Sequence, residues 1–296
     1  MTRDEALAEI KSFNSVENVV FAMRIIGKIG TVADIFTLMP IATNNSTNPS
    51  IKKLATDAIC SIIKESLLTK FNELTPEMRQ KLAKILQTLD PKIINDLSKD
   101  LFSSDNERRL SALQMLGILK RNPYVKEILA KLLQDRDMKI RATAIALLGK
   151  MMGPNDQHMA LMLLGDEDKR VRANTVEALE SMGNQQMVPV LAPYRKDPNN
   201  RIRGNVLKAL YNLGQTDIGE DLLDMLTAAD PLQKASALWV ITQLKYNGSK
   251  KVIDAAGACL LCDNKMVHKH AEAAMTAIGT PRCLGYVNYL GRVIRH

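Results

Sequence analysis

Apolar residues recur along this chain at i, i+3, i+4 and i+7, the spacing that lines one face of a 3.6-residue helix. Val171, Thr175, Val176 and Leu179 form one such run, and comparable runs follow one another from end to end. The punctuation between them is helical too. Asp or Asn stands before many runs, where a side-chain oxygen accepts a free backbone N–H. Pro49, Pro76, Pro198 and Pro231 are read as first helical positions, and Gly30, Gly183, Gly214 and Gly279 close runs where a left-handed cap is wanted. No alternating run flanks a hairpin dipeptide, so the pattern predicts helices and no strand.

The helices repeat. A cation recurs at Arg109, Arg141, Arg172, Arg203 and Lys234, at intervals of 32, 31, 31 and 31 residues. Asp105, Asp137, Asp168, Asn199 or Asp230 stands three or four residues before each cation, and Ala112, Ala144, Thr175, Val206 or Ala237 three after it. Lys52 and Arg79 extend the frame toward the N-terminus and His268 toward the C-terminus. The expectation is about nine helix pairs, each pair burying its apolar face only against its neighbours.

The motif Asp-x-x-[Val/Ile]-Arg-x-x-[Ala/Thr] at this period resembles HEAT repeats, in the short bacterial form also found in phycobilisome lyases. The resemblance covers nearly the whole chain. It implies an all-α, right-handed α-solenoid forming one domain over 1–296: an N-terminal cap and first units over 1–47, repeats over 48–279, and a C-terminal capping helix over 280–296. It also implies that the second helix of each pair lines a concave groove.

The Asp/Arg ladder (Asp105, Arg109, Asp137, Arg141, Asp168, Arg172, Arg203) admits two readings. A row of arginines in a basic protein can bind phosphate. The preferred reading is structural, each guanidinium lying between stacked units and donating to the Asp and to turn carbonyls. Counted from the cap residue, +4, +7 and +11 face the core, which turns +6, +9 and +13 toward the groove. Those columns supply the candidate partner-binding residues Gln114, Thr143, Asn174, Glu177, Asn205, Lys208 and Trp239, with Tyr211 and Tyr246 near the same edge. Small, polar and mixed in charge, they suit an extended peptide or a partner helix. Trp239, the single tryptophan, is either an interface anchor or a spacer packed between units.

Composition trims the alternatives. The chain has 296 residues, a net charge of +8 and 4% aromatic residues. Residues 101–150 carry ten Lys/Arg against five Asp/Glu, and 151–200 carry five against seven. Lys120, Arg121 and Lys126 therefore mark a candidate basic edge. The groove columns hold no continuous basic stripe with interleaved aromatics, which argues against nucleic acid as the main ligand. There is no apolar run long enough to span a membrane and no secretory leader, so the expected location is cytoplasmic. Cys259-x-x-Cys262 with His268 and His270 has the residue types of a zinc site. However, Cys259 falls at a core position, and the two histidines point to nearly opposite sides of their helix. No metal and no cofactor are expected. Deoxyhypusine hydroxylases bind iron through His-Glu pairs, and no such dipeptide occurs here. The aromatic constellation of HEAT-like DNA glycosylases is missing too. The resulting reading is a non-enzymatic scaffold or adaptor for a protein partner. A bilin lyase or lyase subunit is the alternative, a nucleic-acid binder comes third, and the oligomeric state is left open.

Overall fold

A computed structural model describes residues 1–119 and 123–293, and among them every regular element is helical. The chain packs as two compact units, 1–143 and 144–296. The N-terminal unit holds α1 (Arg3–Ser12), α2 (Val16–Ile29), α3 (Ile35–Thr43), α4 (Pro49–Thr69), α5 (Pro76–Leu89), α6 (Ile93–Leu101), α7 (Asn106–Ile118), α8 (Pro123–Leu132) and the start of α9 (Met138–Leu148). The C-terminal unit holds α10 (Gln157–Leu161), α11 (Lys169–Ser181), α12 (Val188–Leu191), α13 (Asn200–Asn212), α14 (Gly219–Thr227), α15 (Pro231–Leu244), α16 (Lys250–Ala258), α17 (Lys265–Ile278) and α18 (Pro281–Val293).

In the N-terminal unit the second helices stack in a row, α2 on α4 and α4 on α7. Ile26, Ile59, Ile63, Leu67, Leu97 and Leu113 are buried there. One feature departs from the periodic pattern. Helix α4 runs on to Thr69, which leaves only residues 70–75 before α5, too few for a first helix. Helix α5 therefore stands single and packs on both α4 and α7. Its Arg79 holds the cation position yet stacks over Phe71, 4.5 Å from the ring centroid, and donates Nε–H to Leu74 O at 3.1 Å. The described chain thus forms eight helix pairs with α5 unpaired, and α18 closes the end.

In the C-terminal unit α11, α13, α15 and α17 stack side by side. A continuous core of Leu207, Leu222, Met225, Leu238, Ile241, Ile253 and Met275 lies under the last three. The first helices here are short. Helices α10 and α12 are flanked by 3-10 turns at Pro154–Asp156 and Met162–Gly165, and at Gln185–Met187 and Ala192–Lys196. Asp168 and Asn199 cap α11 and α13 by accepting two backbone N–H groups each. Pro198 stands one residue before its cap, outside the helix. Gly183, Gly214 and Gly279 adopt the left-handed conformation expected of them, whereas Gly30 is extended. At Gly30 the constraint is space, because a Cβ would lie 2.4 Å from Ile26 O.

Ladder arginines donate to turn carbonyls, as the sequence reading has it, whereas the carboxylates that Arg109 and Arg203 pair with are not the cap residues. Asp105, Asp137 and Asp168 cap their own helices. Arg141 and Arg172 each donate Nη1–H to two carbonyls of the preceding turn, Asp135 O and Arg136 O, or Asp166 O and Glu167 O. Arg109 and Arg203 reach further back, to Leu101 O at 3.0 Å and Arg195 O at 2.9 Å, and forward to a carboxylate of the next repeat, Asp135 or Asp224. His268 makes the same backward bond, Nδ1 to Leu260 O at 2.7 Å. The physical reason is reach: the cap oxygen is already held by its own helix, and the guanidinium sits over the end of the preceding helix. A second acidic row lies beneath. Asp135, Asp166 and Asp197 each accept the backbone N–H of the cap residue two positions on, at 2.8–2.9 Å.

Candidate functional site

The second helices of the C-terminal unit present a cleft of about 430 Å³. It is lined by Glu177 of α11; Asn200, Arg201, Gly204 and Asn205 of α13; Leu232, Ala235, Ser236 and Trp239 of α15; and Met266 and His270 of α17. The residue types explain how a cleft forms where helices pack closely. Gly204 and Ala235 keep its floor low, Trp239 and Met266 build its walls, and the short 3-10 turns lie behind the helices, away from it.

Its polar groups form a mesh between adjacent repeats. Arg201 Nη2 donates to Asn174 Oδ1 at 2.7 Å and to Glu177 Oε1 at 3.2 Å. The same Glu177 oxygen accepts Asn205 Nδ2–H at 2.7 Å. Asn200 Nδ2 donates to Ser236 Oγ at 2.8 Å. Lys208 donates to Glu180 at 2.9 Å, lies 5.8 Å from the Trp239 ring centroid, and shares Glu180 with Asn212. Arg201 and Lys208 each have a counter-charge on the neighbouring helix, Glu177 and Glu180, so the cleft is close to neutral.

A smaller groove of about 170 Å³ shares the Glu177 wall. Ala146, Gly149, Ala178 and Ser181 line it, and α11 approaches Gly149 so closely that a Cβ there would lie 2.6 Å from Ala178 Cβ.

The structure brings Glu177, Asn205 and Trp239 together in the main cleft, with Asn174 and Lys208 bonded to or stacked on its rim. Two candidates are largely buried. Asn205 is buried as a strut between α13 and α11, and Tyr246 is buried in the core, its ring edge-on to Tyr211 with centroids 5.9 Å apart. Tyr246 follows Lys245, whose left-handed backbone turns the chain inward after α15 and carries the ring under the helices. Gln114 and Thr143 lie half-buried in the N-terminal unit, Thr143 donating its hydroxyl to Lys139 O at 2.8 Å. Of the basic edge, Lys126 is half-buried on α8, while Lys120 and Arg121 lie outside the described residues. Cys259 is buried with its thiol pushed up to about 11 by burial, and His270 Nδ1 lies 2.9 Å from Met266 O. No group of three or more His, Cys, Asp or Glu side chains able to hold a metal occurs among the described residues.

The +2 column (Arg201, Leu232, Met266) was missed by counting from +6. Yet +2 lies one helical turn before +6 and shares its face. With it, the cleft follows from the frame at +2, +6 and +9.

Residues 157–242 match the family model of HEAT repeats. That stretch runs from α10 into α15 and includes most of the cleft. Among solved structures, the karyopherin Kap121p bound to the extreme C-terminus of the protein phosphatase Cdc14p is similar in fold, with a TM-score of 0.53 at 12% identity. A Kap121p mutant gives 0.52 at 12% identity. In both cases 97% of this chain is covered, and it spans 38% of the karyopherin's length. The Escherichia coli protein YibA aligns at a TM-score of 0.47 and 18% identity, over 81% of this chain and 96% of its own. No curated protein sequence matches significantly. The described residues are all helical, in a fold similar to these solenoids, with the HEAT-repeat match confined to residues 157–242, and no helix among them is long and apolar enough to cross a membrane.

Proposed function

We propose that this HEAT-repeat chain is a non-enzymatic, cytoplasmic scaffold that binds a protein partner in the cleft of α11, α13, α15 and α17. The observation that carries the reading is the cleft's make-up. Its walls are apolar and accessible, its charges are already matched within the protein, and none of its side chains forms a nucleophile–base pair within hydrogen-bond reach of the kind catalysis needs. An accessible tryptophan beside apolar neighbours is the composition of a protein-binding anchor. Kap121p, of similar fold, holds the C-terminal segment of another protein, which supports a solenoid of this kind accepting a polypeptide.

The test is site-specific photocrosslinking in cells, with the crosslinker at Leu232 in the cleft or at Glu220 on α14. The expected result is one protein crosslinked from position 232 and not from 220. The purified pair should then lose affinity in Trp239→Ala while the helical melt stays unchanged. Equal crosslinking at both positions, or unchanged affinity in Trp239→Ala, sinks the reading.

A further inference from the structure

Asn205 forms part of the cleft floor and is 2% exposed. Both of its amide hydrogens are used inside the protein, on Ala173 O at 3.1 Å and Glu177 Oε1 at 2.7 Å. Its Oδ1 receives no hydrogen from the described residues and is not fully enclosed, so it opens onto the cleft and an occupant that covers it must supply a donor. His270, also in the cleft, must carry a hydrogen on Nδ1, because the Met266 carbonyl it meets at 2.9 Å only accepts. In the neutral ring this leaves Nε2 as a second acceptor. Between these atoms the walls are apolar: the Trp239 ring, Leu232 at 50% exposure and Met266 at 37%. An open acceptor at the floor of apolar walls requires, of any occupant that displaces water from it, an N–H donor carried on a narrow and otherwise neutral body.

Resting on the reading of the cleft as a protein-binding site, the geometry points to one occupant: an extended segment of a partner protein that donates a main-chain N–H to Asn205 Oδ1 and lays a neutral apolar side chain among Leu232, Trp239 and Met266. A docked helix fails this description. Beyond its first turn its N–H groups are consumed internally, and a cylinder about 10–12 Å across does not bring a main-chain donor to a floor atom. An extended segment has its N–H groups free, as in other modes of strand recognition. A cationic anchor fails as well, because Lys208 already stands 5.8 Å from the Trp239 centroid and Arg201 spans Asn174 and Glu177. The smaller groove beyond Glu177, lined by Lys150 and Asn174 as well as by Ala146, Gly149, Ala178 and Ser181, gives the segment a continuation.

The experiment selects a displayed library of short random peptides against the intact protein, with Leu232→Lys, Met266→Lys as the counter-target. Both positions are accessible, and an unchanged helical melt confirms that the double variant is folded. Enriched peptides are then resynthesised with a single N-methyl group at each backbone amide in turn. The expected peptides share one apolar residue, bind the double variant at least about tenfold more weakly, and lose about tenfold on methylation of one amide beside that residue. Peptides that bind as helices, or that tolerate methylation at every amide, overturn the proposal and leave the protein-binding reading standing. Peptides that bind the double variant equally well, or no enrichment at all, also overturn it, and the crosslinking at Leu232 then decides whether the broader reading falls with it.

Discussion

Arg109 and Arg203 hold the same repeat position, yet their removal should differ in cost by about 2 kcal/mol. Each donates Nε–H to a carbonyl eight residues back, so Arg→Leu leaves one carbonyl without its donor in both cases, costing about 1 kcal/mol. The difference lies in the forward partner. The Asp135 side chain is 10% exposed, and without Arg109 it becomes a nearly buried carboxylate lacking its counter-ion. The Asp224 side chain is 71% exposed, and water replaces Arg203 there at little cost. Arg109→Leu should therefore lower local stability by about 3–5 kcal/mol and Arg203→Leu by about 1–2 kcal/mol. Hydrogen exchange followed by mass spectrometry reads each locally, as the opening free energy of α7 and α13 amides. Adding Asp135→Asn to Arg109→Leu should restore about 1–2 kcal/mol, since the amide oxygen still accepts the Asp137 N–H while the stranded charge is gone. Equal costs for the two arginine variants, or a further loss from Asp135→Asn, would refute the reasoning.

Other outcomes follow from the same structure. Burial pushes the Asp34 carboxyl up, but hydrogen bonds from Arg3 and from the Thr31 N–H and hydroxyl outweigh it and leave the group below the usual carboxylate range. Its contribution is therefore complete at neutral pH and is lost as pH falls below about 4 toward the depressed folded value; NMR of the Ala6 amide should show α1 loosening in acid, and Asp34→Asn should abolish that dependence. Burial raises the Cys60 thiol to about 12 and Cys259 to about 11, so at pH 8 a thiol reagent should label half-buried Cys60 slowly and buried Cys259 only on unfolding, with both rates measured by mass spectrometry. Gly149→Ala should destabilise the C-terminal unit by about 1–3 kcal/mol in denaturant titration, because its Cβ meets Ala178 at 2.6 Å.

The periodic features were legible in the sequence because packing imposes them once per repeat. The cation ladder, its caps and the apolar faces fall every 31 or 32 residues and need no partner to be seen. What failed to show was set by neighbours. Asn205 occupies a groove-facing register position, yet α11 takes both of its amide hydrogens and leaves it largely buried, and no count along α13 reveals that. Tyr246 turns inward because Lys245 is left-handed, a conformation to which lysine gives no clue. The single helix α5 escaped notice because its own pattern is intact and only the missing first helix before it marks the difference. The Asp135, Asp166 and Asp197 row was in plain view at the same period, but an aspartate two residues before a capping Asp or Asn reads as ordinary loop polarity. Arg201, Leu232 and Met266 were one helical turn from residues already counted.

The contrast between long second helices and short first helices with 3-10 turns has a mechanical consequence. Helices α11 and α13 run for 13 residues each, while α10 and α12 run for five and four, continued by 3-10 turns whose hydrogen bonds have poorer geometry. Load applied to these repeats is taken up first by the weaker row, where turns tighten or lengthen at low cost. The row bearing the cleft is cross-tied by Asn205 to Glu177, Arg201 to Asn174 and Lys208 to Glu180. Compliance and rigidity are thus divided between the two rows, and the cleft can keep its spacing while the repeats behind it flex.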